Sequence, residues 1–199
     1  MSPKPDVSEE RKDQILSAAE EVFSRKGLDH ARMEDIAEET GLSKGTLYLY
    51  YKSKNNLIIA ILDRLFQREF GTFEDTDMAN MSAVEAMELF TDTVAKDIKF
   101  FMRLMPLAYE FLALAFRNKA VQAALKNYVN RYMDIFLPVI QKGIETGEFR
   151  PVNAHDVGVA AGAIIEGTML LWVYDNSMVD PERNIRTGMK LLMEGIVTR

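Results

Sequence analysis

The sequence predicts an all-α fold: a three-helix N-terminal domain holding a helix-turn-helix, joined through a fourth helix to a larger helical domain, about nine helices in total. Three observations carry that prediction. Apolar residues return at intervals of three and four along most of the 199 residues, the period of a helix with one buried face. Residues 33–57 place two short segments with an apolar seam on either side of Thr40-Gly41-Leu42-Ser43, a helix stop followed by a helix start. Ser, Asn and Asp residues suited to helix caps stand before most of the remaining segments.

Pro3 and Pro5 mark residues 1–7 as a tail. Ser8 is placed to cap the first helix, whose opening turn holds Glu9 and Glu10, favourable at the positive end of the helix dipole. Ile15, Ala18, Ala19, Val22 and Phe23 form its buried stripe, and Gly27 ends it. The second helix carries Ile36 and Ala37, and Gly41 can take the positive φ that closes it. Ser43 caps the third, where Leu47 and Tyr51 lie one turn apart and face the core. After Ser53, the fourth helix spans 54–73. Its stripe of Leu57, Ile58, Ile61, Leu62, Leu65, Phe66 and Phe70 is longer than three small helices can cover, so its later half must pack elsewhere.

Residues 72–81 are a polar break, after which Ser82 and Glu85 have the spacing of a capping box and open a helix to about residue 104. Pro106 begins a short, nearly all-apolar helix ending near residue 116. A longer helix over 119–146 follows, bent near Pro138. Asn153 caps the helix over 154–174, and the pair Asp180-Pro181 opens the last, to residue 197.

The third helix concentrates the candidate chemistry. From residue 41 to 62 there is no Asp or Glu, whereas Lys44, Lys52 and Lys54 are present, and cations without neighbouring carboxylates suit phosphate. Lys44, at the start of the helix, can donate to guanine or to phosphate, and Thr46, Tyr48 and Tyr50 offer hydroxyls for phosphates or base edges. Gly45 costs a helix about 1 kcal/mol relative to Ala. A cost of that size implies that a side chain there would obstruct something. Leu49 points away from the core side and reads equally as a contact for a thymine methyl or as a surface leucine. Lys54 is expected to touch backbone phosphate from the start of the fourth helix.

Ile36-Ala37, Gly41-Leu42-Ser43, Gly45, Leu47-Tyr48, Tyr51, Lys54 and Leu57 together resemble the DNA-binding signature of the tetracycline-repressor-like (TetR) family of bacterial transcription regulators. The likeness reaches back through residues 11–26. Two positions depart from the pattern. Ala31-Arg32 stand where the family has a pair of Thr, which removes a cap hydroxyl and leaves Arg32 to reach phosphate itself, and Tyr50 stands where His is common. The resemblance implies a DNA-binding domain over residues 1–53 and a ligand-binding and dimerisation domain over 54–199. It also implies that Arg32, Ser43, Lys44, Gly45, Thr46, Tyr48, Leu49, Tyr50 and Lys54 form a surface for double-stranded DNA. One short helix reads few base pairs, so the implied target is a palindromic operator read by a homodimer.

In the larger domain, Phe101, Met105, Tyr109, Tyr128, Tyr132, Met169 and Trp172 contribute to an aromatic and methionine-rich interior that suits either a core or a cavity adaptable to apolar ligands. The resemblance implies a pocket for a small hydrophobic ligand, to which Phe66 and Phe70 of the fourth helix also belong. Glu110 and Glu166 are carboxylates in apolar surroundings and need partners. For Glu110 the choices are Arg103 or Arg131, or a cationic or hydroxylated ligand; for Glu166, the ligand or a dimer-interface partner. Gly158, Ala161, Gly162, Ala163 and Gly167 make the penultimate helix small-sided, fit for a dimer interface or for close packing inside one subunit.

Composition bounds the alternatives. Hydrophobic residues at 48 % with 27 % charged describe a globular chain. Net charge is −6, and residues 1–57 hold nine Lys and Arg against eleven Asp and Glu, so any nucleic-acid surface is local and its salt slope shallow. The absence of Cys removes disulfides and thiolate metal sites and fits a reducing cytoplasm. Residues 157–174 come nearest to a membrane span but include Glu166, so no membrane segment is expected. With only His30 and His155, and no phosphate loop or metal cluster, neither an enzyme nor a cofactor is expected. The competing reading is a helical ligand-binding or protein-interaction module without sequence-specific DNA binding.

Overall fold

The computed structural model describes residues 7–74 and 80–198. Eight helical elements occur among them: α1 (Val7–His30), α2 (Met33–Thr40), α3 (Lys44–Tyr50), α4 (Lys54–Glu74), α5 (Ala83–Ala115), α6 (Lys119–Glu145), α7 (Ala154–Tyr174) and α8 (Pro181–Ile196). The first is divided at Gly27, which takes φ +76 and ψ 158. Extended pairing among the described residues is limited to an isolated bridge between Phe149 and Val197. The expected tail over 1–7 lies outside the described residues apart from Val7, and the break over 72–81 does so at 75–79. Ser8 lies inside α1 and not before it.

Local signals placed most of these elements. Ser82 and Glu85 close the expected capping box: Ser82 N–H donates to Glu85 Oε2 at 2.9 Å, and Glu85 N–H to Ser82 Oγ at 3.1 Å. Asn153 Oδ1 accepts from His155 N–H at 3.0 Å, and Asp180 Oδ1 from Arg183 N–H at 3.1 Å. Ser53 Oγ accepts from Asn56 N–H at 3.2 Å at the head of α4. Pro106 departs from expectation, since α5 continues through it without starting afresh. Its ring lies at an exposed position, while Leu107 and Phe111 beyond it are buried and hold the helix to its course.

The chain forms two compact units: Met1–Glu69 with Pro106–Asn127, and Phe70–Met105 with Tyr128–Arg199. The first therefore takes in a stretch well beyond residue 53. Its core joins Ile15, Ala19 and Phe23 of α1, Ile36 of α2, Leu47 of α3, Leu57 and Ile61 of α4, Leu107 and Phe111 of α5, and Val121 of α6. Burying side chains of this size contributes roughly 1.5–3 kcal/mol each. In the second unit, Phe90 meets Phe136 edge-on at 4.1 Å and lies 5.1 Å from Phe73, while Tyr132 stacks on Phe136 at 4.6 Å. Glu148 anchors the start of α5, accepting from Ala83 N–H and Val84 N–H at 3.2 Å each.

By length and composition α7 is apolar enough to cross a membrane even with Asp156 and Glu166 among its 21 residues, a test that a core helix also passes. Only part of α7 is buried. Val159, Leu170, Leu171, Val173 and Tyr174 are exposed.

Candidate functional site

The helix-turn-helix is built from two local devices. Gly41 closes α2 at φ +67 and ψ 16, and its N–H donates to Glu38 O at 3.1 Å, while Leu42 N–H donates to Ala37 O at 3.1 Å. Ser43 then caps α3, its Oγ accepting from Thr46 N–H at 3.1 Å and bonding the Thr46 hydroxyl at 2.8 Å. Leu47 is fully buried and fixes the inner side of α3; Tyr48, Tyr50 and Tyr51 are half-buried against the same core. Burial pushes the Tyr51 phenol up from its ordinary value.

The opposite side of α3 is open. Gly45 and Leu49, one turn apart, are both exposed, Leu49 at 73 %. A Cβ on Gly45 would meet only Ser43 Oγ, at 3.9 Å, so nothing within the chain requires glycine there. Packing among the described residues gives no reason for glycine at position 45. Leu49 therefore stands on the face that a groove would receive.

The cations are placed differently from the local charge pattern. Lys44 is not free of carboxylates: Glu34 of α2 reaches across the turn to its ammonium, and Lys44 lies 6.0 Å from the centre of the Tyr48 ring. The bond to Glu34 pushes the Lys44 ammonium up, and the bond to Lys44 pulls the Glu34 carboxyl down. The acid-free run from 41 to 62 could not register a partner ten positions upstream. Lys54 also departs from its expected role. Its three ammonium donors go to Leu28 O at 2.7 Å, Ala31 O at 3.1 Å and Asp29 O at 3.3 Å, which leaves none for phosphate. Arg32 is exposed at the head of α2 and supplies no side-chain cap; Asp35 Oδ2 accepts Arg32 N–H at 2.9 Å, the other half of a capping box, so the bond a Thr hydroxyl would make is not replaced. Lys52 is exposed beside α3.

The residues expected around a ligand are distributed over both units. Phe66 and Tyr109 are half-buried in the first; Met105, Tyr128, Tyr132 and Trp172 are half-buried in the second, where Met169 is buried. The side chains of Phe70, Phe101 and Arg103 lie outside the described residues. Glu110 has a partner the sequence did not suggest: its Oε2 accepts Leu28 N–H within the first unit. Tyr132 donates its hydroxyl to Gly158 O at 2.9 Å, and burial pushes that phenol up. Glu166 keeps solvent contact, yet the surrounding protein strips enough water to push its carboxyl up. A groove of about 710 Å³ opens beside Met87, Thr91, Met189 and Met193, and none of the expected ligand residues lines it. Among the described residues no cluster of His, Asp or Glu could hold a metal.

The small residues of α7 divide. Gly158 and Ala161 are buried inside the subunit; a Cβ on Gly158 would meet Met133 Sδ at 3.1 Å and one on Gly162 the Tyr132 ring at 3.5 Å. Close packing within one chain explains these three, which corrects their assignment to a dimer interface. Gly167 meets nothing within 4 Å, and Ala163 is exposed. The outward stripe is instead Val159, Ala163, Glu166, Leu170 and Val173, whose spacing of four and three was readable in the sequence.

Comparison with known proteins agrees with this arrangement. Residues 15–61 match the model of the bacterial regulatory proteins of the tetR family, and residues 83–196 match that of the BetI-type transcriptional repressor C-terminal region. The HTH-type transcriptional regulator YfiR of Bacillus subtilis (strain 168) is 32 % identical over 158 residues, covering 77 % of this chain and 76 % of YfiR. Two solved structures share the fold. A transcriptional regulator from Saccharomonospora viridis, in complex with choline, has a TM-score of 0.81 at 18 % identity, over 96 % of this chain and 100 % of its own. FadR from Bacillus subtilis, in complex with stearoyl-CoA, has a TM-score of 0.71 at 22 % identity, over 92 % of this chain and 98 % of its own.

Proposed function

The chain belongs to the tetR family of bacterial regulatory proteins and is a DNA-binding transcriptional regulator, and from that premise we propose that it is a homodimeric repressor released from a palindromic operator by a small, largely apolar ligand. The observation that carries the proposal is the outward face of α3, where Gly45 and Leu49 are exposed opposite the fully buried Leu47. A helix pinned on one side and unobstructed on the other is what a major groove can accept. Arg32, Ser43, Lys44, Thr46, Tyr48 and Tyr50 border that face, Lys44 exchanging Glu34 for a phosphate or a guanine edge. Residues 1–53 supply this surface; the remainder serves ligand binding and dimerisation.

Dimerisation is assigned to the apolar stripe of α7, Val159, Leu170 and Val173, together with the exposed Leu191 of α8. A two-fold dimer sets two α3 helices to read half-sites about 34 Å apart. The choline and stearoyl-CoA bound to two proteins of this fold support a small-molecule effector held by the C-terminal region. Release is a population shift, for which the ligand must bind the non-operator state more tightly than the operator-bound one. The protein acts by binding in the cytoplasm, with no catalytic step and no cofactor.

The test is selection of bound duplexes from a random library by the full-length protein at low salt, repeated with candidate apolar compounds. Enrichment of a palindrome that a compound abolishes is the expected result. Recovery of no common site overturns the reading.

A further inference from the structure

Leu28 is gripped from both sides by opposite charges. Its N–H donates to Glu110 Oε2 of α5, and its carbonyl accepts from Lys54 Nζ, the first residue of α4, at 2.7 Å. Gly27 takes φ +76, a conformation L side chains rarely adopt, and a Cβ there would just touch Glu110 Oε1, at 3.4 Å. Beside this contact, Arg117 donates to Asp29 Oδ1 and Oδ2 at 3.0 and 2.9 Å. Leu107 and Phe111, flanking Glu110 on α5, are buried in the core that also holds Leu47 of α3. Glu110 is thus a charge on an apolar helix, bonded to a backbone amide 82 residues away.

We propose that Glu110, Leu28 and Lys54 form a charged clamp that holds α3 in its DNA-competent position and opens in the ligand-released state. The proposal rests on the reading of the chain as a ligand-released DNA-binding protein. Glu110 stands four residues past Pro106, on the part of α5 that belongs to the first unit, so a displacement of that segment must either carry Leu28 with it or break the bond at Glu110. In the first case the carbonyls that anchor Lys54 shift with Leu28; in the second they lose the restraint that Glu110 places on Leu28. Lys54 follows α3 by three residues, so the shift falls on the junction that orients the reading helix. Glu110 acts here as a positioning residue, not as a contact to DNA.

Linkage supplies the test. If the closed clamp favours operator, then operator must favour the closed clamp by the same factor. With a duplex selected by the wild-type protein as the probe, amide exchange at Leu28 is measured in full-length protein with and without that duplex. Exchange is expected to slow on duplex binding, and Glu110→Ala is expected to lose about tenfold in duplex affinity or more, the scale of a hydrogen bond to a charged group. Glu110→Gln, which keeps a carbonyl acceptor, is expected to recover part of that loss. Leu28 exchange unchanged by the duplex overturns the clamp, and so does a Glu110→Ala protein that binds like wild type. The exchange arm needs no variant and stands even if Glu110→Ala fails to fold. A wild-type protein that selects no duplex overturns the functional reading, and the clamp's coupling role with it.

Discussion

Glu34 of α2 holds the ammonium of Lys44, the first residue of α3, across the turn that joins the two helices. The pair is solvent-exposed, so it is weak and open to exchange for a phosphate. In the proposed binding mode Glu34 competes with DNA for the cation at the exposed start of α3. Glu34→Gln is expected to raise duplex affinity at low salt and to steepen the salt dependence by about one unit of log–log slope. Filter-binding or fluorescence titrations across a salt series would measure this; an unchanged slope would place Lys44 away from the phosphates.

Gly45→Ala is expected to separate folding from function. Within the chain the added methyl meets only Ser43 Oγ at 3.9 Å, and helix propensity favours Ala by about 1 kcal/mol. The melting temperature should hold or rise while duplex affinity falls. Thermal unfolding monitored at the helix band, paired with a binding titration, decides it. Full affinity in a stabilised variant would show that no groove approaches position 45.

Glu148 makes the stability of the second unit acid-sensitive. Partial burial acts to raise its carboxyl, but the bonds from Ala83 N–H and Val84 N–H, and from the Thr146 hydroxyl, win and hold it below its ordinary 4.5. A carboxyl with a depressed folded value stabilises above its unfolded value and loses that contribution as pH falls through the folded one. Glu148→Gln should therefore cost about 1 kcal/mol near neutrality, the scale of a helix cap, and nothing once both states are protonated. Denaturant midpoints from pH 7 down to 3 would trace the convergence; a constant gap would refute it.

Glu166 carries the opposite sign. Its side chain keeps solvent contact, but the protein around it strips enough water to push the carboxyl up, so the charged form is disfavoured in the native protein. The cost is fully present above the raised folded value and disappears as pH falls to the unfolded one. In the proposed interface Glu166 would lose its remaining water and its carboxyl would rise further on association, so sedimentation should show the dimer tightening from pH 7 towards 5 in wild type and not in Glu166→Gln. Leu170→Glu on the same stripe is expected to yield monomers at micromolar concentration. Dimers unaffected by either change would move the interface off α7.

Much of the fold was legible in the residues themselves. Gly41, Ser43, the Ser82–Glu85 pair, Asn153 and Asp180 each stand where their neighbours' amides need them, and each element they bound begins or ends there. The face of α3 was legible for the same reason, since Leu47 inward and Leu49 outward follow from helical period alone. The partners of the charged groups were not. Lys54 was read as a phosphate ligand and instead binds three carbonyls; Glu110 was read beside a ligand or an arginine and instead binds an amide. Nor could the small-sided face of α7 be told from its outward stripe, because that helix is apolar on nearly every side.

Where helices start and stop, and which side of most of them is buried, follows from the order of residues along the chain. Those outcomes depend on φ, ψ and hydrogen bonds within about four residues of a given position, so the information is local. Tertiary structure alone decided that Leu28 lies between Glu110 and Lys54 and that Gly158 and Gly162 face Met133 and Tyr132. A charge is satisfied by whichever polar group packing brings to hydrogen-bond distance, and spacing along the chain carries no record of that choice.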